Sequence, residues 1–113
     1  KVNVQVDAGI AGIVSALSLF PQLQTIESCE ASRGAPWVCF SCSNGRSWKP
    51  IAEFTLGFLA PKLFETVGDA VSIDLRPTVG GEVLADMIVR PEVLESVQAA
   101  IMTLAEEFIR DHN

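Results

Sequence analysis

The sequence predicts an α+β fold, a two-layer sandwich in which an antiparallel-rich sheet carries its helices on one face. Three observations lead there. Runs that alternate apolar and polar residues, as strands do, are interleaved with runs whose apolar residues recur every three or four positions, as helices do. Strand-like runs flank short Gly-containing turns, which makes hairpins and therefore antiparallel pairing. A chain of 113 residues, 49% hydrophobic and 19% charged, has enough apolar material for one core, so residues 1–113 read as a single domain.

The elements follow in the order βαββαββα. VNVQV (residues 2–6) alternates with period two and predicts a strand. Asp7 caps the helix that follows, whose Ile10, Ile13, Val14, Leu17 and Phe20 keep helical spacing up to Pro21, where the missing N–H stops it. LQTIESCE (23–30) and PWVCFSCS (36–43) are β-leaning runs joined through ASRGA, which predicts a hairpin. Ser47 is placed to cap a helix over 47–68, with Pro50 tolerated in its first turn and Gly68 ending it. Pro61 inside that run removes a hydrogen bond and crowds the preceding turn, so a kink or two short helices meeting near Ala60 are expected.

AVSIDLR (70–76) and EVLADMIVR (82–90) form the clearest hairpin, and its register follows from its own residues. A three-residue loop of Val79, Gly80 and Gly81, with Gly81 left-handed, sets Val71 against Val89, Ile73 against Met87 and Leu75 against Ala85. One face becomes wholly apolar. The reverse face then opposes Asp74 to Asp86, a like-charge pair that the diagonal Arg76 relieves, and it also carries Leu84 and Ile88. Pro91 opens the last helix with Glu92 and Glu95 near its positive end, and Leu94, Val97, Ile101, Leu104 and Phe108 form its apolar stripe.

The three cysteines, Cys29, Cys39 and Cys42, fall within fourteen positions and end in Cys-x-x-Cys. On a strand, Cys39 and Cys42 point to opposite faces and share neither a metal nor a disulfide. A zinc site needs further ligands, yet the single histidine is His112 in the terminal tail, so no metal ligand is assigned. Strand parity puts Cys29 and Cys39 on one face, and a hairpin centred on Gly34 sets them directly opposite. Free thiols in a reducing cytoplasm are expected.

A net charge of −6 with eight scattered Lys and Arg opposes nucleic-acid binding, and no apolar run approaches the ~20 residues of a membrane span. No signal-peptide pattern precedes residue 7. DAGIAG (7–12) lacks the spacing of a phosphate loop, and Gly9 and Gly12 read as close approaches of helix to sheet. Glu27, Glu30, Glu53, Asp74 and Asp86 read as solvated carboxylates, and no nucleophile with a histidine base is available, so no catalytic residue is assigned. Trp37 and Trp48 flank the cysteine hairpin, and Trp48 is a candidate ligand contact.

Residues 6–33, VDAGIAGIVSALSLFPQLQTIESCEASR, resemble the start of the tRNA methyltransferase family of wybutosine synthesis, through Asp7, Ile10, Ile13, Thr25, Ser28, Cys29 and Arg33. The resemblance implies a Ser-Cys loop beside a cofactor or substrate pocket, with Asp7, Ser28, Cys29, Glu30 and Arg33 as ligand-binding residues. Two functional classes follow. The first is a non-catalytic binding or interaction domain without a cofactor, taking a small molecule or a second copy of itself. Its homo-oligomer interface is expected at Leu84, Ile88 and Arg76, because apolar residues on a sheet face without helices call for a cover. The alternative, implied by the resemblance, is an S-adenosylmethionine-dependent methyltransferase-like domain.

Overall fold

A computed structural model describes residues 8–29, 35–42 and 48–111, with only the backbone for residues 8, 9 and 25–29. The expected strand over 2–6 and the caps Asp7 and Ser47 lie outside the described residues. Within them the fold is α+β. The elements are α1 (Ala8–Leu17), β1 (Leu23–Cys29), β2 (Trp37–Cys42), α2 (Trp48–Phe54), α3 (Ala60–Val67), β3 (Val71–Pro77), β4 (Val83–Val89) and α4 (Leu94–Asp111). Among the described residues the sheet has four strands in the order β1-β2-β4-β3, every pair antiparallel. No helix among them is long and apolar enough to cross a membrane.

α1 ends three residues before the expected Phe20. The Ser18 hydroxyl donates to the Val14 carbonyl at 2.8 Å, and the next amides, of Leu19 and Phe20, reach back only three residues, so the helix tightens into a turn. Phe20 is still fully buried. Gly12 marks the approach of α1 to α4, not to the sheet as the sequence suggested, because a Cβ there would run into the Gln98 side chain. In α4 the expected stripe holds: Val97, Ile101 and Leu104 are buried, joined by Ala105.

The long helix does not break at Pro61. α2 passes through one π turn, Thr55–Leu59, directly into α3. Leu59 and Ala60 keep right-handed helical backbone angles, and the Ala60 amide donates to the Thr55 carbonyl five residues back. The wider turn ends two residues before Pro61, whose ring and missing N–H disturb a regular ladder. Gly68 closes α3 at φ 64, a value that suits glycine.

The β3–β4 hairpin has the expected register throughout, with Ile73 opposite Met87, Leu75 opposite Ala85 and Asp74 opposite Asp86. Its loop closes as argued: the Thr78 amide donates to the Glu82 carbonyl at 2.8 Å, and Gly81 takes φ 92. The β1–β2 hairpin departs from expectation. Cys29 pairs with Trp37, and the partner of Cys39 is Glu27, because the pairing is centred one residue earlier than Gly34. A bulge between Thr25 and Glu27 then shifts the remainder by one more residue, to Thr25 opposite Phe40 and Leu23 opposite Cys42.

One sheet face packs on the helices. Val38, Phe40 and Cys42 of β2 and Val83, Ala85, Met87 and Val89 of β4 join the apolar stripes of the helices in one cluster. Trp37, Cys39 and Leu84 form a second cluster on the reverse face, with Ile88 packed against it. Cys39 and Cys42 are therefore in different layers, as alternation along a strand requires. Neither forms a disulfide.

The reverse face is less open than its sequence suggests. Leu84 is 8% exposed within the single chain, and Asp86, expected to be solvated, is 5% exposed. Asp86 tolerates this position because Arg76 grips it with two charge-assisted hydrogen bonds, Nε to Oδ2 at 2.8 Å and Nη2 to Oδ1 at 3.2 Å. The same Nη2 lies 3.7 Å from the Cys39 sulfur. Arg76 thus relieves the Asp74–Asp86 opposition in the way the register demanded.

Candidate ligand-binding site

The turn before β1, the end of β2, the α2–α3 helix and the last turns of α4 enclose an open cavity of about 800 Å³. Its walls are built on aromatic residues. Phe20, beneath it, makes edge contacts with Phe54 at 4.9 Å, Phe108 at 5.5 Å and Phe58 at 6.2 Å between ring centroids. Phe58 in turn packs against Phe54 and Phe108 in tilted contacts. Such offset and edge-to-face arrangements are the favoured ones for rings that carry a negative face and a positive edge. Phe58 is only half-buried, so part of its ring remains uncovered beside the cavity.

The π turn helps to shape this wall. Pro50, Phe54, Phe58 and Lys62 all border the cavity at steps of four residues. Four residues of an α-helix overshoot a full revolution by about 40°, so three such steps swing the last side chain well round the helix. Between Phe54 and Phe58 the chain follows the π turn, which uses more residues per revolution and removes part of that drift. Within it the buried Thr55 hydroxyl donates to the Ile51 carbonyl at 2.6 Å, a bond back along the helix that loosens the regular ladder.

The rim is polar. Glu53 from α2 and Glu107 and Asp111 from α4 border the cavity together with Lys62 and Gln22. Both ion pairs found among the described residues, Arg76–Asp86 and Arg90–Asp69, lie elsewhere. Among the described residues, three carboxylates therefore stand against one ammonium at the cavity.

Cys42 adds a thiol to the same wall. Burial pushes its pKa above the ordinary value of 9.0, because the apolar surroundings disfavour the thiolate. The sign of the linkage is fixed by that direction. The stability tied to the neutral thiol is fully present below the unfolded value and is lost as the pH rises towards the folded one. Wild type is expected to lose more stability than Cys42→Ala between neutral pH and about pH 10 in denaturant titrations. Equal losses in the two proteins would show that the thiol is not desolvated. The same thiol should resist alkylation by iodoacetamide at neutral pH until the chain is unfolded, which peptide mass spectrometry reads directly.

Of the residues expected to bind a ligand, Trp48 is the one whose side chain is described, and it does not border this cavity. Asp7, Glu30 and Arg33 lie outside the described residues. Ser28 and Cys29 are at the end of β1, in register with Val38 and Trp37. Trp48 opens α2 and is 50% exposed, two residues before Pro50. Of the expected oligomer face, Leu84 has little surface left, whereas Ile88 is half-buried and Arg76 keeps 44% of its side chain exposed. What sequence reasoning missed is the phenylalanine set. Its one local signal was the i, i+4 pair Phe54 and Phe58 beside Glu53 in a helix already burdened with Pro61. Comparison with protein-family models, with curated proteins and with solved structures finds no match to this chain.

Proposed function

We propose that this chain is a non-catalytic binding domain that takes a small molecule into the cavity walled by Phe54, Phe58 and Phe108. The observation that carries this reading is the cavity itself. Its volume of about 800 Å³ falls within the ~300–1,000 Å³ typical of small-molecule sites, and it combines apolar walls with a few polar groups at the mouth. S-adenosylmethionine, the cofactor implied by the resemblance, is a separate proposal resting on Ser28, Cys29, Glu30 and Arg33. Self-association is likewise a proposal, now resting on Ile88 and Arg76. Light scattering that returns a monomer would remove it.

Nile red, a neutral dye whose emission brightens and shifts to the blue in apolar surroundings, tests the binding reading. The folded protein is expected to bind it saturably, and Phe58→Gln is expected to weaken binding by about tenfold through lost ring contact and a polar group left in the wall. Circular dichroism keeps loss of fold apart from loss of the site. Absence of saturable binding, or binding that a folded Phe58→Gln variant leaves unchanged, would overturn the proposal.

A further inference from the structure

Resting on the binding reading above, we infer that the ligand class is a small organic cation with an apolar body, held with its flat or methylated part on the phenylalanine rings and its positive charge beside the rim carboxylates. Two independent features of the same cavity point this way. The first is electrostatic. Among the described residues, Glu53, Glu107 and Asp111 border the cavity against Lys62, and these four make no ion pair with one another. Among the described lining residues the excess is two negative charges, on a chain that is itself at −6, and both disfavour an anion. A neutral apolar molecule would gain from the walls alone and leave the carboxylates unanswered.

The second feature is aromatic. Phe58 stands 5.7 Å from Phe54 and 6.1 Å from Phe108 between ring centroids, tilted by 41° and 57°, and all three rings line the one cavity. Phe58 is half-buried, and a phenyl ring carries a negative face that attracts a cation placed over it within about 6 Å of the centroid. Phenylalanine carries no hydroxyl or N–H that would select a hydrogen-bonding ligand instead. A diffuse, weakly hydrated charge such as a quaternary ammonium loses little water on entering such a wall, which a compact ammonium or a metal ion does not match. Rings and carboxylates together therefore favour a soft cation over a metal.

The test uses three probes that share a phenyl ring. Phenyltrimethylammonium is the cation, tert-butylbenzene is its uncharged counterpart of the same shape, and benzoate is the anion. Each is titrated into the full chain while amide shifts of residues 50–62 and 104–111 are followed by NMR. Phenyltrimethylammonium is expected to bind about tenfold more tightly than tert-butylbenzene at low salt, and benzoate is expected not to saturate. The Glu53→Gln, Glu107→Gln double variant, altered at exposed positions, should lose most of the cation preference while tert-butylbenzene still binds. Equal or tighter binding of tert-butylbenzene in the wild type would overturn the cation inference and leave the cavity as a binding site. A preference that survives the double variant would overturn the role given to the carboxylates. If none of the three probes moves the amides of these segments, both the inference and the binding reading beneath it fail.

Discussion

Phe20→Ala is expected to lower the free energy of unfolding by about 3–5 kcal/mol, a large part of the ~5–15 kcal/mol that a domain of this size has to lose. Phe20 is fully buried and is the ring that touches all three cavity phenylalanines. Its backbone is fixed by the turn after α1, where its amide donates to the Leu17 carbonyl at 3.1 Å and its carbonyl accepts the Leu23 amide at 3.2 Å. A shortened side chain there cannot be replaced by a small backbone shift, so the vacated volume stays as a cavity and the lost edge contacts add to the cost. Urea unfolding monitored by circular dichroism measures the loss. A drop below about 1 kcal/mol would mean that the neighbouring rings collapse into the space and that the aromatic wall is adaptable. Nile red binding should weaken in the same variant, since Phe54, Phe58 and Phe108 lose the ring beneath them.

Arg76→Ala is expected to cost about 2–3 kcal/mol. Breaking a buried ion pair by removing one partner costs ~3–5 kcal/mol, and the figure is lowered here because 44% of the Arg76 side chain faces solvent. What remains is large because Asp86 is buried and stands opposite Asp74, so the loss of the guanidinium removes two charge-assisted bonds and restores a like-charge opposition together. The second substitution Asp86→Asn, made in the Arg76→Ala background, is expected to recover part of the loss by removing the buried charge. Unfolding curves for the two single variants, the double variant and wild type give the coupling. A coupling near zero would show that Asp86 does not depend on Arg76.

Why one hairpin was legible in the sequence and the other was not has a physical answer. In β3–β4 the loop demanded a left-handed residue that Gly81 supplies, and a slip by one would have put Asp86 among Val71, Ile73 and Leu75, so one register alone kept charge out of the core. The β1–β2 pair offered no such penalty. β2 is buried along its whole length, so its side chains do not announce which face meets the helices, and a bulge in β1 leaves no mark in residue types. Burial of Asp86 was hidden although Arg76 was placed beside it, because the cluster of Trp37, Cys39 and Leu84 on that face depends on how β2 pairs with β4. The cavity was least legible of all. Phe20, Phe54, Phe58 and Phe108 come from three separate stretches of the chain, and each alone reads as ordinary core. The π turn that lines up Phe54 and Phe58 ends two residues before Pro61, which by itself signals only that a regular helix is interrupted.

The strand order β1-β2-β4-β3 carries a kinetic consequence. The outer pairs are hairpins whose strands are neighbours in the chain, so each closes a short loop at small entropic cost, on the microsecond scale of isolated hairpins. The central seam is different. Its four residue pairs run from Trp37 opposite Ile88 to Phe40 opposite Ala85, and they join positions separated by the whole α2–α3 helix and β3. That seam closes the longest loop in the sheet, so it is expected to form late, by docking of the two hairpins edge to edge, and to slow folding. Until then β2 and β4 are both open edges rich in Val, Met, Phe and Ile, and in a crowded solution two chains compete with one for the same pairing. Dilute refolding should therefore give a higher yield than concentrated refolding, because docking within one chain is independent of concentration and pairing between chains is not.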